Sequence, residues 1–432
     1  MSLNLDSLLS EHLAETSPLR QFFWRKERKA DGISYPIPLK EQYVDFLRLV
    51  LGLHIIEIRH LEYVKELRME TSYPDDFLSI VNDCESLFYL LANMKVNLKI
   101  IPSSSRHSWR KIDEGTLYKD IVPFSGGLDS LCGALSSSKH SRIILSHCKT
   151  NLVIFGKVLK LSDMNSFKRS VLYCMDATSK TPIAGVSDTR GLLFLSFAYA
   201  IAASLDLRYV TFCENGSQML DVMLGSLVYP NKPATKNTNP VYIDKIESIF
   251  SNFYDKTFKI ECPFKDMTKA EMLLPLKNEI RFEDTYSCFS PRGRAAMCGE
   301  CYNCFVRRLS LLAINVAEKN NVYEVNPFTV THEIHHEGSA PSTNILFHFL
   351  RFYSQILMRN SSSMNEIEVS SRGYFRDPLD LATRFAEDVF LGVNGLLGAI
   401  GENQLNALGK KARELLDQLD KKTLRERKEE LT

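Results

Sequence analysis

The stretch Val122-Pro-Phe-Ser-Gly-Gly-Leu-Asp-Ser130 decides how the rest of this chain is interpreted. It begins inside the apolar run from Asp120 to Phe124 and leads into Leu131-Cys-Gly-Ala-Leu135, an order that predicts a strand, a tight loop and a helix. Two adjacent glycines allow positive φ angles and let backbone N–H groups approach an anion closely. A helix that begins at Ser130 adds the positive end of its dipole. The stretch therefore predicts a phosphate-binding loop.

The type of loop follows from what it contains and what it lacks. It has neither the Gly-Lys-Ser/Thr ending of a Walker A loop nor the three spaced glycines of a dinucleotide fingerprint. It resembles instead the PP-loop of ATP pyrophosphatases, which cleave ATP between the α- and β-phosphates. An ordinary Ser/Gly/Asp turn is the alternative. The resemblance implies that Asp129 positions Mg²⁺, that Asp129 and Ser130 are catalytic, and that ATP is held by Ser125, Gly126, Gly127, Leu128, Asp129 and Ser130.

The composition predicts a globular protein of two or three domains. The 432 residues are 44% hydrophobic, which allows a large core, and 53 basic side chains against 52 acidic ones give a formal net charge of +1. No global electrostatic field therefore favours nucleic acid or a membrane surface, although local basic patches stay open. The first residues contain acids and no apolar core like that of a signal peptide, and no stretch approaches the length of a membrane span. A cytoplasmic location is therefore expected.

The central part of the chain, residues 118–326, predicts an α/β domain with a doubly wound parallel sheet. Short apolar runs alternate there with helical patterns, and ligands of such sheets bind beyond the carboxyl ends of the strands. The phosphate loop has that position, and so do His147, Asp176 and the segment Glu214-Asn215-Gly216, which follow other predicted strands. For His147 and Asp176, an ordinary solvated strand end is an equally good interpretation.

Two extensions, residues 1–117 and 327–432, flank this domain. Both are predicted to be mainly helical, and neither carries a catalytic motif. Their amphipathic helices either join the core or bind a macromolecular partner. In the second case, removal of 327–432 is expected to leave ATP binding largely intact but to eliminate transfer to the partner protein. A polar gap at 360–372 predicts a flexible loop, and the stretch His332-Glu-Ile-His335-His336 lacks the spacing of a helical metal site, which indicates a surface cluster.

Four of the ten cysteines fall between positions 288 and 304, which predicts a metal site. Three are spaced by two residues in Cys298-Gly-Glu-Cys301-Tyr-Asn-Cys304, and Cys288 precedes them. Four thiolates can enclose a tetrahedral Zn²⁺ in a closed, structural site, which would pin the loop that carries Arg307 over the nucleotide end of the sheet. An iron–sulfur cluster is the alternative, and disulfides are disfavoured in a reducing compartment.

The phosphate loop is followed by Thr-x-Ser-Cys, which ends at Cys288, and by Cys-Gly-x-Cys-x-x-Cys-x-x-Arg, which ends at Arg307. This combination resembles the QueC family of 7-cyano-7-deazaguanine synthases, from about Tyr118 to Val325. The resemblance implies that Arg190 contacts ATP and that Lys269, within Thr268-Lys269, and Arg307 are catalytic. The zinc ligands that it implies are Cys288, Cys298, Cys301 and Cys304.

The resemblance also implies a reaction. In the family, ATP activates the carboxylate of 7-carboxy-7-deazaguanine as an adenylate with loss of pyrophosphate, and an amine then attacks to give an amide. In the synthase, ammonia and a second activation give the nitrile. The implied cofactors are ATP, Mg²⁺ and Zn²⁺, and the implied small-molecule partner is a deazaguanine-type carboxylate.

Two departures from the family affect the predicted substrate and acceptor. The family's Tyr-Pro-Asp-Cys-Arg stretch is replaced by the segment from Glu214 to Leu224, and the chain adds long extensions at both ends. Such enlarged QueC-like proteins resemble those of bacterial antiphage gene clusters of the Qat and type IV CBASS kinds, which implies an acceptor amine on a partner protein. The alternatives are 7-cyano-7-deazaguanine synthesis for nucleic-acid modification, a tRNA-thiolating PP-loop protein, and a nucleotide-binding scaffold without catalysis.

Overall fold

The computed structural model describes most of the chain. The predicted strand-end residues His147 and Asp176 and the stretch from His332 to His336 lie outside the described residues. The described segments are residues 1–12, 23–26, 39–104, 120–136, 142–146, 171–175, 188–228, 238–288, 296–329 and 342–432.

The described part of the N-terminal extension is mainly helical, as predicted, and also contains a three-stranded parallel sheet. The sheet has the order β1-β3-β4. In β3, Leu67 and Met69 are buried while Arg68 and Glu70 are exposed, the period-2 pattern of a half-buried strand, which is too short and too charged to stand out in the sequence. The elements up to residue 104 are β1 (Ser2–Asn4), α1 (Leu5–His12), β2 (Phe23–Lys26), α2 (Glu41–Ile58), β3 (Glu66–Thr71), α3 (Pro74–Leu78), α4 (Val81–Ala92) and β4 (Asn97–Pro102).

The central sheet is parallel, as predicted, except for one edge strand that comes from the N-terminal extension. Strands β5 (Asp120–Phe124), β6 (Arg142–Ser146) and β7 (Val171–Met175) run parallel, and β2 pairs antiparallel with β7. A second parallel pair, β8 (Tyr209–Thr211) with β9 (Lys259–Glu261), lies beside β5, where the Thr211 hydroxyl donates to the Asp120 carboxylate at 2.7 Å. Strand β2 lies before the predicted domain boundary at residue 117 and β7 lies after it, so the hydrogen bonds between these two strands cross that boundary.

The helices of the central domain pack on those of the N-terminal extension. Tyr43 and Phe46 of α2 meet the Tyr199 ring edge to face, and Tyr199 stacks on Phe250 with ring centroids 4.1 Å apart. Such aromatic pairs add to the free energy of burial, so the N-terminal extension contributes to the main core. The central helices are α5 (Leu128–Leu135), α6 (Arg190–Ser204), α7 (Gly216–Leu224), α8 (Pro240–Tyr254), α9 (Lys269–Leu273) and α10 (Tyr302–Ala313).

The C-terminal extension is helical, as predicted, but the expected flexible loop at 360–372 is a helix. The side chain of Asn360 accepts hydrogen bonds from the backbone N–H groups of Ser362 and Ser363, and Ile367 is fully buried. An N-cap followed by one buried apolar residue stabilises a helix that polar composition alone does not predict. The elements are α11 (Ser342–Leu357), α12 (Ser361–Ser371), α13 (Pro378–Gly398), α14 (Ala407–Asp417) and α15 (Lys421–Glu430).

Helix α13 packs closely on α10. A Cβ atom added at Gly392 would lie 2.4 Å from the Leu309 carbonyl oxygen, so only glycine allows the two backbones to approach this closely. The C-terminal extension is therefore part of the core that supports the central domain. In the described part of the chain, no helix combines the length and apolar character needed to cross a bilayer.

Candidate functional site

The predicted phosphate loop lies between β5 and α5 and is held by its own serines. Helix α5 begins at Leu128, two residues before the predicted start, with Gly127 as its N-cap, and Gly126 has a φ angle of 85°, which favours glycine. The Ser130 hydroxyl accepts from the Ser125 N–H at 3.2 Å and donates to the Gly127 carbonyl at 3.1 Å. The loop therefore places backbone N–H groups at a helix N-terminus, the arrangement that binds phosphate.

Asp129 connects three elements that are distant in sequence. Its Oδ2 atom accepts from the Lys269 ammonium at 2.7 Å, and its Oδ1 atom accepts from the Asn215 side-chain amide at 2.8 Å. Lys269 Nζ also lies 3.5 Å from the Gln218 side-chain oxygen. Both Lys269 and Asp129 are largely buried, so the pair lies in a region of low dielectric, where charge interactions are strong. The structure thus brings together two of the predicted catalytic residues.

Glu214 is a second carboxyl group near this pair. It follows β8, as predicted, and its Oε2 atom is buried without a hydrogen-bond partner in the described part of the chain. Burial raises the pKa of Glu214 to about 8, the nearby charge of Asp129 adds to the increase, and Lys269 opposes it. Glu214 therefore carries a proton at neutral pH, a property that strand-end position alone does not predict.

The segment from Thr285 to Cys288 connects the phosphate loop to the cysteine cluster. The backbone N–H of Tyr286 donates to the Gly126 carbonyl at 3.0 Å, and Cys288, two residues further on, belongs to the cluster. Because Tyr286 and Cys288 are only two positions apart, a short segment joins the cysteine cluster to the phosphate loop.

Arg307 binds this segment through several hydrogen bonds, and its predicted catalytic role stays a prediction. Its guanidinium is fully buried, pairs with Glu318 at 2.6 Å and donates to the Thr285 hydroxyl at 2.7 Å and the Ser287 hydroxyl at 3.1 Å. A further bond goes to the Phe282 carbonyl at 2.6 Å. In the structure, the guanidinium of Arg307 therefore holds the segment from Thr285 to Ser287 in place.

The four predicted zinc ligands come together. Their sulfur atoms all lie within 4.8 Å of one another, and the sulfurs of Cys298 and Cys304 are 3.9 Å apart. Tetrahedral zinc with Zn–S bonds of about 2.3 Å needs sulfurs about 3.8 Å apart. The backbone N–H groups of Cys298 and Cys301 donate to the sulfurs of Cys288 and Cys298, contacts that favour thiolates. The donor set and its spacing fit a single metal ion such as zinc.

Arg190 is the first residue of α6, and its guanidinium carbon lies 5.3 Å from the centre of the Phe194 ring. The start of this helix is held by the N-terminal extension. Glu57 of α2 accepts from the backbone N–H groups of Asp188 at 2.7 Å and Thr189 at 3.0 Å, and from the Thr189 hydroxyl. The ATP contact of Arg190 stays a prediction, and the role of Glu57 had no signal in the sequence.

A parallel sheet, a phosphate-type loop after one of its strands and a Lys–Asp pair beside that loop define an α/β domain of the PP-loop type. Comparison with known proteins supports this class. The family model described as Queuosine biosynthesis protein QueC matches residues 156–315, a range that contains Lys269 and the four cysteines and begins after the phosphate loop. This part of the chain is therefore similar to QueC family proteins.

Individual relatives have low sequence identity to this chain. The chain is 24% identical to the 7-cyano-7-deazaguanine synthase of Hydrogenovibrio crunogenus over 223 residues. The match covers 44% of this chain and 89% of that protein. It is 28% identical to the synthase of Rickettsia prowazekii over 142 residues, 31% of this chain and 54% of the relative. The Aquifex aeolicus synthase is 32% identical over 132 residues, 29% of this chain and 53% of its own length. No solved structure gives a significant match.

Proposed function

We propose that this protein uses ATP to activate the carboxylate of a 7-carboxy-7-deazaguanine-type molecule as an adenylate and then transfers the acyl group to an amine. The carboxylate oxygen attacks the α-phosphorus, the bond to pyrophosphate breaks, and pyrophosphate leaves. The amine then attacks the acyl carbon and loses a proton, AMP leaves, and an amide forms. The observation that carries the proposal is the Asp129–Lys269 pair beside the phosphate loop.

The residues of the site divide this work. The N–H groups of the Gly126–Gly127 loop and the start of α5 bind the phosphates, and the ammonium of Lys269 offsets the negative charge that pyrophosphate carries as it leaves. Asp129 supplies carboxylate oxygens, the ligand type that Mg²⁺ prefers, and Mg²⁺ would neutralise phosphate charge there. We assign the cysteine cluster a structural role, with bound zinc holding the segment from Thr285 to Cys288 against the loop.

The acceptor is inferred from a segment in which this chain differs from the family. The stretch that replaces the family's substrate motif forms α7, where Asp221 is buried and accepts from the Tyr302 hydroxyl at 2.5 Å and from the Tyr353 hydroxyl. Tyr353 belongs to α11 in the C-terminal extension. This difference supports an acceptor other than free ammonia, which we propose is an amine of a partner protein in an antiviral gene cluster. Synthesis of 7-cyano-7-deazaguanine itself is the second candidate, because the relatives are named for it.

The test is incubation of the purified protein with ATP, Mg²⁺ and 7-carboxy-7-deazaguanine, with and without ammonium, followed by measurement of pyrophosphate and mass spectrometry of the products. We expect pyrophosphate release that depends on the carboxylate. An amide or nitrile of the free base would identify ammonia as the acceptor, and a mass increase on a co-expressed protein would identify a protein amine. Absence of pyrophosphate release would overturn the proposal and favour a scaffold.

The matched control is Asp129→Asn, which keeps the shape of the side chain and removes its charge. We expect it to fold and to lower pyrophosphate release at least about a hundredfold, the effect of losing one positioned electrostatic group. Asp129→Ala is less suitable because it removes the side-chain oxygens as well as the charge, so the buried Lys269 ammonium also loses its hydrogen-bond acceptor on residue 129.

A further inference from the structure

A buried group of charged residues links the last helix of the chain to the start of α9. The side chain of Arg427, on α15, is 4% exposed. Its guanidinium donates to Asp388 of α13 at 2.8 Å through Nε and to Glu271 of α9 at 2.7 Å through Nη2. A third bond, from Nη1, goes to Glu430 of its own helix at 2.9 Å. One side chain therefore joins three helices.

Two of the three acceptors of Arg427, Asp388 and Glu271, bind the residue immediately before Lys269. Asp388 accepts from the Thr268 hydroxyl through its second oxygen, and Glu271 accepts from the Thr268 backbone N–H at 2.8 Å. Thr268 in turn caps α9 by accepting from the Glu271 backbone N–H at 3.2 Å. Arg384 of α13 binds the other Glu271 oxygen and the Asp266 carbonyl. The capping box at the start of α9 is thus clamped from outside by two arginines of the C-terminal extension.

We propose that Arg427 is a positioning residue for Lys269, and so sets the geometry of the Lys269–Asp129 pair at the nucleotide site. Lys269 is the first residue of a five-residue helix, and the direction of its side chain depends on how Thr268 is held. A helix this short is not stable through its own hydrogen bonds, so its orientation comes from tertiary contacts. Arg427, on the last helix of the chain, therefore acts on Lys269, which lies 158 positions earlier in the sequence.

Arginine is needed at position 427 because of the geometry of its hydrogen-bond donors. A guanidinium presents several N–H groups in one plane and can bind Asp388 and Glu271 together, whereas a lysine ammonium is a single compact charge. Asp388 is 1% exposed, so each of its bonds lies where water cannot replace it. Loss of either bond leaves a buried carboxylate oxygen short of a partner and lets Thr268 shift.

This inference rests on the proposed function for its effect on turnover, and it is tested independently by the chemical reactivity of Lys269. The test variant is Arg427→Lys, and the matched control is Arg425→Gln, which removes an exposed arginine from the same helix. Each full-length protein is labelled briefly with an amine-reactive acetylating reagent without nucleotide, and modification of Lys269 is quantified by mass spectrometry. The exposed Lys265 serves as the internal reference.

In the wild type and in Arg425→Gln we expect Lys269 to be protected relative to Lys265. In Arg427→Lys we expect Lys269 to react at least about fivefold faster while Lys265 is unchanged. Pyrophosphate release should fall about tenfold, mainly in kcat, because small displacements of a positioning group affect the reaction more than binding. Unchanged protection of Lys269 in a folded Arg427→Lys protein would overturn the inference, even if turnover fell.

A second pair of variants decides the question if Arg427→Lys does not fold. Thr268→Val removes the hydroxyl that binds Asp388, and Thr268→Ser retains it. We expect greater reactivity of Lys269 and lower kcat in Thr268→Val, with both restored in Thr268→Ser. Equal Lys269 protection in the two variants would refute the proposed route from Arg427 to Lys269. If the wild type releases no pyrophosphate, the proposed function fails, while the labelling result still decides the positioning role.

Discussion

Glu214 shows how burial sets the charge state of a single residue in the candidate site. Asp129 has Lys269 as a counterion, whereas the buried Oε2 of Glu214 has no described hydrogen-bond partner. Burial is the largest cause of the increase in the pKa of Glu214 to about 8. Between pH 4.5, its ordinary value, and pH 8, the folded protein keeps a proton that the unfolded chain has released.

We predict that Glu214→Gln becomes more stable relative to the wild type as pH rises from 5 to 8. The raised pKa means that this carboxyl contributes less stability as pH increases through that window, whereas glutamine does not titrate. The relative gain in unfolding free energy should be at least about 1 kcal/mol, since each unit of pKa shift corresponds to about 1.4 kcal/mol.

Urea unfolding at both pH values, in buffer without nucleotide and Mg²⁺, measures this difference. The control is Glu261→Gln, at an exposed position, which should show the same stability difference from the wild type at both pH values. A constant difference for Glu214→Gln would show that Glu214 is already ionised in the folded protein.

At the scale of the element, the cysteine cluster connects a metal site to the phosphate loop. Cys288 ends the segment whose Tyr286 N–H binds the Gly126 carbonyl, and Cys301 is the N-cap of α10, the helix that carries Arg307. A metal ion would therefore join the start of α10 to the segment that Arg307 also holds. Its loss should loosen both ends of that segment.

We predict one zinc ion per chain in the wild type and its loss in Cys301→Ser, with destabilisation of more than about 3 kcal/mol, because an incomplete ligand set binds poorly and metal binding contributes directly to folding. Elemental analysis and thermal unfolding measure both quantities. The matched control is Cys262→Ser, a partly buried free cysteine outside the cluster, which should keep its zinc. A brown protein that contains iron would contradict the zinc assignment and favour an iron–sulfur cluster.

The α10–α13 contact makes a prediction for packing. We expect Gly392→Ala to destabilise the protein by about 1–3 kcal/mol, because its Cβ would overlap the Leu309 backbone. Gly398, at the end of the same helix, has no atom within 4 Å of an added Cβ, so Gly398→Ala should be neutral or stabilise by up to about 1 kcal/mol. Chemical denaturation of both variants checks the contrast, and equal effects would show that the helices can separate without cost.

At the scale of the whole molecule, both extensions contribute to the central domain. Strand β2 completes the edge of the central sheet, Glu57 holds the start of α6, and Arg427 holds the start of α9. The sequence left two alternatives for the helices of the extensions, joining the core or binding a partner. For α2, α13 and α15 the structure supports the first. The expectation that residues 327–432 can be removed without loss of ATP binding does not agree with these contacts.

We predict that a fragment ending at Asn326 does not fold cooperatively, because it exposes the surface that buries Phe328, Tyr353 and Phe385. Circular dichroism during heating measures the transition. A fragment ending at Asp420 is the control, since it lacks only α15 and should melt cooperatively at a lower temperature than the full chain. A cooperative transition and ATP binding in the shorter fragment would show that the central domain is autonomous.

Short-range patterns in the sequence determined the local features of this protein. The strand–loop–helix at 120–135 and the clustering of the four cysteines were predicted, and the structure confirms their geometry. The capping box of Thr268 with Glu271 follows from a pattern of the same short range. Each depends on residues close together in the chain, so that turn chemistry, capping or ligand spacing is sufficient to predict it.

Only the tertiary structure decided the contacts between distant residues. The pairing of Asp129 with Lys269, the burial of Arg307 against Glu318 and the clamp of Arg427 on the start of α9 have no periodicity in the sequence. Hydrophobic patterns predict that a helix has a buried face, but they do not say which helix covers it. The sequence therefore determined which groups are available for chemistry, and long-range packing decided which of them meet, because burial and charge compensation depend on the whole fold.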